Sequence, residues 1–259
     1  MIRQHLQPQA QEDFTYRGKE PGRLENFSDA VFALAITLLL ISTSPPANFM
    51  QIRKFLFDLL PFIMCIALII YIWHEHFTFF LRYGLRDTNV VVLNTMFLIL
   101  VLFFVYPLKF LTKLALFPIA LAFDVKWLMN DLVGMIQADD MADLMIIYGV
   151  GAMSTSAVLS LMYRYALSKK EHLGLSPLEI FDTRASLNTN MLNALIPGLS
   201  VLMAIVFYNS RQVGAIAGFT YFLYAPIMTV HGIRLGKQRL ALKANAQKTE
   251  VEEEVLSEQ

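Results

Sequence analysis

Residues 23 to 41 read Arg-Leu-Glu-Asn-Phe-Ser-Asp-Ala-Val-Phe-Ala-Leu-Ala-Ile-Thr-Leu-Leu-Leu-Ile, an otherwise apolar helix with an arginine, a serine and an aspartate at its mouth. An ionisable group within a hydrocarbon-spanning segment costs about 3 kcal/mol or more. Asp29 must therefore face protein or water and find a partner, and the rest of the chain has to supply it.

The remainder of the sequence is of the same apolar kind. The chain has 259 residues, 56% hydrophobic and 16% charged, with mean hydropathy +0.51, more apolar and less charged than a soluble domain. A helix needs roughly 20 apolar residues to cross a hydrocarbon core about 30 Å thick. Six runs qualify: 24–44, 55–80, 89–116, 143–166, 187–209 and 213–234. The expected fold is an all-α integral membrane protein with six transmembrane helices per subunit. Its expected parts are a cytoplasmic N-terminal segment (1–22), a transmembrane domain (23–236) and a cytoplasmic tail (237–259). The first run is read as a retained helix rather than a signal peptide, because a long polar segment precedes it and Asp29 interrupts it. Formal charge is zero, so no global basic field points to nucleic acid. The single cysteine, Cys65, lies in an apolar run and reads as a small core residue.

Connecting segments that carry Lys and Arg stay on the cytoplasmic side. With the N-terminus inside, fifteen of the 21 basic residues fall on the inner side and six on the outer. Both termini are therefore expected inside, in the cell (inner) membrane. The longest outer connection, 117–142, carries four aspartates and an amphipathic middle around 125–136, the pattern of a short interfacial helix. The acidic end of the tail, residues 250–254, reads as a solvated helix end or disorder.

Connectivity gathers polar residues at one depth. The first helix runs outward, the second back and the third outward again. Ser28 and Asp29 early in the first, His74 and His76 late in the second and Asn94 early in the third thus share one inner layer with Arg23. Such groups serve helix-to-helix hydrogen bonding as readily as anything else. His74 and His76 are two residues apart and do not face one another on a helix, so no metal site is expected. Asp58, one turn after Lys54, reads as half of a local ion pair.

Beyond Asp29 the first helix has no further charge. Leu34, Leu38 and Ile41 recur at i, i+4 and i+7 with Thr37 at the edge of the same stripe. On pattern alone the stripe suits packing as well as a pore. A polar inner entrance, an apolar middle and the polar exit Ser42-Thr43-Ser44 before Pro45-Pro46 would line a narrow channel if several copies of the helix met around an axis.

Arg23, Phe27, Ser28 and Asp29 match the Arg-x-x-x-Phe-Ser-Asp signature of the transmembrane protein 175 family, potassium channels of endosomes and lysosomes with bacterial relatives. Trp73-x-x-His76, Asn94 and Pro107 resemble that family's marks on its second and third helices. The resemblance covers residues 20 to 110. It implies a bacterial-type, single-repeat member that passes potassium passively, assembled as a homotetramer around four copies of the first helix. Leu34 resembles the family's hydrophobic constriction, Thr37 its pore-lining threonine, and Leu38 and Ile41 continue the lining. Arg23, Ser28, Asp29, His76 and Asn94 resemble its structural polar network. No cofactor and no metal is implied, only the permeant potassium ion, the lipid bilayer and copies of the chain as partners. There is no Thr-Val-Gly-Tyr-Gly filter, so selectivity would rest on partial dehydration at Leu34 and Thr37.

Two other classes compete with this one. A secondary transporter could use Pro197-Gly198 and Gly214 to interrupt helices around a midplane substrate site, but the two halves share no motif. An enzyme would need a gathered nucleophile and base or a metal-ligand set, and the sequence has neither Gly-x-Ser-x-Gly nor His-Glu-x-x-His. Ser154, Thr155, Ser156, Asn188, Asn190, Asn193 and Gly214-x-x-x-Gly218 in the later helices read as packing residues.

Overall fold

The structure is a computed structural model that describes residues 14–41, 47–49, 52, 56, 58–124, 126, 129 and 134–257. The described residues form α1 (Arg23–Ile41), α2 (Leu59–Tyr83), α3 (Thr88–Leu114), the short α4 (Phe117–Ala122), α5 (Met141–Ser168), α6 (Pro177–Val206), α7 (Val213–Phe219) and α8 (Tyr224–Ser257), with no strand among them. Short 3-10 turns at Ala138–Asp140 and Thr220–Leu223 precede α5 and α8. Six segments are long and apolar enough to cross a membrane: α1, α2, the first part of α3, α5, α6, and α7 with α8 as far as Asn245.

The main core lies where α2, α3 and α5 meet beneath α1. Phe79, Phe80, Tyr83, Phe97, Met162 and Tyr163 are all but fully buried there. Rings of this size supply most of the buried apolar area, and their edge-to-face packing adds to it. Phe79 and Tyr163 meet edge to face with centroids 5.5 Å apart. Cys65 is fully buried, its Sγ 3.1 Å from Thr112 Oγ1.

Each element end has a local cause. Gly84 closes α2 in the left-handed conformation (φ 58°), its N–H returning to the Phe80 carbonyl, a backbone state that other residues adopt only at a cost. Asp87 caps α3 by accepting from Val90 N–H, and its second oxygen accepts from Tyr165. Ser176 and Glu179 form a capping box, with Pro177 as the first helical residue of α6. That box starts α6 at Pro177, ten residues before the apolar run begins at 187. The additional turns carry Glu179 and Thr183, which are buried but hydrogen-bonded.

The last span departs from a single regular helix. It breaks after Phe219, where Ser200 and Thr220 both donate to the Ala217 carbonyl, and then continues to Ser257. α6, by contrast, runs unbroken through Pro197. Proline has no N–H to offer the carbonyl four residues earlier, and Tyr224 of α8 donates to that Asn193 carbonyl at 3.1 Å. In Gly214-x-x-x-Gly218 only Gly214 makes a close approach, to Met141, while Gly218 faces open space.

Several features at the end of the bundle where α1 finishes differ from expectation or lie beyond the described residues. Asp58 pairs with Lys113 of α3 at 3.2 Å, and Lys54 lies outside the described residues. So do Ser42 to Pro46 and most of the amphipathic middle of the 117–142 connection. Tyr208, after α6, donates to Asp143 at 2.9 Å. That carboxylate holds the phenol above the usual tyrosine range.

Candidate functional site: the first helix and its polar anchor

α1 sits on its own chain by one face only. Ser28, Val31, Phe32, Ala35 and Leu39 are buried, at spacings of three and four residues, which is one side of a helix. The opposite face is open. Leu34 is 50% exposed, Leu38 37% and Ile41 70%. Thr37 is exposed with them, and its hydroxyl donates to the Ala33 carbonyl at 2.9 Å. That bond uses the only hydroxyl proton and leaves oxygen lone pairs outward.

The buried face is pinned by a chain of hydrogen bonds across three helices. His76 Nε2 lies 2.6 Å from Asn94 Oδ1, Asn94 Nδ2 donates to Ser28 Oγ at 2.9 Å, and Ser28 donates to the Leu24 carbonyl at 2.9 Å. The three side chains are all but fully buried. Because the Asn94 amide nitrogen is engaged with Ser28, its oxygen must be the acceptor, so His76 Nε2 donates. Donation then runs in one direction from α2 through α3 to α1, an arrangement in which each bond polarises the next. Phe97 stacks on the His76 ring with centroids 5.3 Å apart and planes 8° off parallel. Phe32 of α1 lies 5.6 Å from the same ring. The imidazole is thus fixed by its hydrogen bond and by its faces.

The remaining members of the expected layer separate. Asp29 is exposed and accepts from the indole N–H of Trp73 at 2.9 Å. Arg23 and His74 are exposed and pair with none of the described residues. Arg23 and Asp29 are six residues apart, about 120° around a helix of 3.6 residues per turn, so they do not share a face. In one chain the network is Ser28, Asn94 and His76, with Asp29 joined to Trp73 beside it.

A second anchor was not foreseen. Glu25, 3% exposed, accepts from Gly22 N–H and pairs with Arg86 in the α2–α3 turn at 3.2 Å. Arg86 also donates to the Glu20 carbonyl. Ahead of it, Arg17 bonds both oxygens of buried Glu179 and the carbonyls of Thr15, Leu173 and Gly174. The strap leading into α1 also donates from Arg17 N–H and Gly18 N–H to Arg82 and Leu81. It lies so close to α2 that a Cβ on Gly18 would stand 2.0 Å from the Phe80 carbonyl oxygen. The sequence signal was present only in part: Ser-x-x-Glu at 176–179 announces a cap, but nothing local names an arginine far earlier in the chain as its partner.

Among the described residues no three His, Cys, Asp or Glu side chains are grouped to hold a metal ion. What the geometry presents is a firmly seated membrane helix with a free stripe of apolar residues and one hydroxyl.

Comparison with known proteins agrees with that geometry. A family model described as the endosomal/lysosomal potassium channel TMEM175 matches residues 23–105, the span that holds α1, its polar anchor and most of α3. A potassium channel of Marivirga tractuosa is 41% identical over 231 residues, covering 85% of this chain and 90% of that protein. The fold superposes with a TM-score of 0.78 at 40% identity on a crystal structure of a variant of the potassium channel MtTMEM175 in complex with a Nanobody-MBP fusion protein, covering 87% of this chain and 97% of that one. With its signature at the start of α1 and this extent of likeness, the chain belongs to the TMEM175 family of potassium channels.

Proposed function

We propose that this channel conducts potassium in preference to sodium through a pore lined by α1 from four copies of the chain, with Leu34 as the constriction and Thr37, Leu38 and Ile41 continuing the lining. The single observation that carries the reading is the two-sided character of α1. One face is buried and hydrogen-bonded, while the opposite face leaves Leu34, Leu38 and Ile41 open to whatever surrounds the subunit. Four such faces around an axis would enclose stacked rings of apolar side chains with one hydroxyl ring between. An apolar ring gates by dewetting when narrow, and a neighbouring hydroxyl ring replaces part of an ion's hydration shell. Potassium gives up water more cheaply than sodium, so partial dehydration at Thr37 favours it modestly. Conduction is passive, with no cofactor, across the cell membrane with both termini cytoplasmic.

The polar network belongs to the same proposal as structural support. Ser28, Asn94 and His76 set the height and rotation of α1, and Asp29 braces it against α2 through Trp73. Arg23, on another face of α1, completes the network across the boundary with a neighbouring copy. The test is a planar-bilayer recording of purified protein under opposed potassium and sodium gradients. Discrete single-channel steps with a reversal potential displaced toward that of potassium are expected. A reversal potential at zero removes the selectivity, and saturable uptake without unitary steps removes the channel reading.

A further inference from the structure

The side of α5 and α6 turned away from the core carries a repeated arrangement that the pore does not use. On α5, Met162 and Ala166 are buried while Arg164, between them, is exposed. At about 100° per residue, Arg164 points roughly opposite to that buried side. On α6, Asp182 holds Arg239 of α8 and Ser186 accepts from Arg82 of α2, so Arg184 between them also points outward and is exposed. Each arginine ends an exposed apolar stripe: Leu161 on α5, and Met191 and Leu195 on α6, are 46%, 48% and 62% exposed.

The contacts between the helices set the two arginines level. Gly149 approaches Val201, and Met153 approaches Gly198. Carrying that antiparallel register along α5 brings Arg164 opposite the turn of α6 that holds Arg184. Asp182 and Thr189 face α8 through Arg239 and His231, so Arg184, about 200° round the helix from Asp182, points away from α8 and toward the open side that α6 shares with α5. Neither Arg164 nor Arg184 has an ion-pair partner among the described residues. The neighbouring carboxylates Glu179 and Asp182 are already engaged by Arg17 and Arg239.

We infer that this face is a binding surface for an anionic phospholipid, its phosphate held by Arg164 and Arg184 and its acyl chains lying along Leu161, Met191 and Leu195. The occupant follows from charge and shape together. Guanidinium groups bind phosphate oxygens by paired hydrogen bonds, and lipid-facing apolar stripes ending in cations at one level match a headgroup above its chains. A soluble anion would have no use for the stripes, and a protein partner would leave two adjacent cations to be neutralised one by one.

The experiment is native mass spectrometry of the purified full-length channel after exchange into detergent with equimolar phosphatidylglycerol and phosphatidylethanolamine. The unmodified channel should retain phosphatidylglycerol several-fold over phosphatidylethanolamine. The double variant Arg164→Gln with Arg184→Gln should lose that preference at least threefold, with assembly and lipid-free thermal midpoint unchanged. Arg211→Gln, at the opposite end of the bundle, should leave it intact. Equal retention of the two lipids by the unmodified channel, preserved preference in the double variant, or an equal loss in Arg211→Gln would each overturn the assignment.

Discussion

Leu34 is a leucine that its own subunit leaves half exposed, one position from fully buried Ala35. If it forms the narrowest ring of the pore, shortening the side chain widens the constriction and a polar replacement eases its wetting. Leu34→Ala should raise unitary conductance several-fold, and Leu34→Asn should raise open occupancy at least as much. Both are read in single-channel records, with Leu40→Ala as a control because Leu40 is exposed off that stripe. Unchanged currents in both Leu34 variants would remove it from the gate. At this scale the sequence was legible where connectivity fixed depth: three antiparallel helices bring Ser28, His76 and Asn94 level, and the fold turns them toward one another. It was not legible for Arg23 and His74, because depth says nothing about which way round the helix a side chain points. Glu25 escaped notice for a similar reason. An acidic residue in a first helical turn is ordinary, and only the fold brings Arg86 to it.

At the scale of elements, hydropathy found all six spans but neither where the fifth helix begins nor that the sixth is broken. A hydropathy window penalises polar residues whether or not they are satisfied, so it began the fifth span at 187 and missed the turns from Pro177 that the capping box supports. It also gave no sign that the sixth span would break after Phe219. Pro197 shows how a helix interruption expected from sequence is repaired by a neighbour. The Asn193 carbonyl that proline leaves without a partner accepts from Tyr224, as an apolar environment demands for any freed backbone group. Tyr224→Phe removes that donor and should destabilise the protein by about 1 kcal/mol, read as a lower thermal midpoint in detergent. Pro197→Ala restores the N–H, so in the Pro197→Ala background Tyr224→Phe should cost measurably less. Equal penalties in the two backgrounds would mean that the tyrosine acts by packing alone.

At the scale of the whole molecule, the strap before α1 ties the proposed pore helix to the far half of the chain. Arg17 and Glu179 are 19% and 3% exposed as side chains and 162 residues apart, and the pair also gathers Thr15, Leu173, Gly174 and Ser176. Losing one partner of such a pair leaves the other charge desolvated and unmet, a cost of about 3 kcal/mol at the partly exposed end of the usual range. Glu179→Ala and Arg17→Ala should each lower the thermal midpoint by several degrees, while the double variant should cost little more than either single one, because the two act as one unit. The same series separates holding from conduction. The strap enters α1 on the buried side, away from Leu34 and Ile41, so channels that survive purification should keep the unitary conductance and ion preference of the unmodified protein. A double variant whose loss equals the sum of the singles would show that Arg17 and Glu179 are fixed independently, and a changed reversal potential would bring the strap into the permeation path.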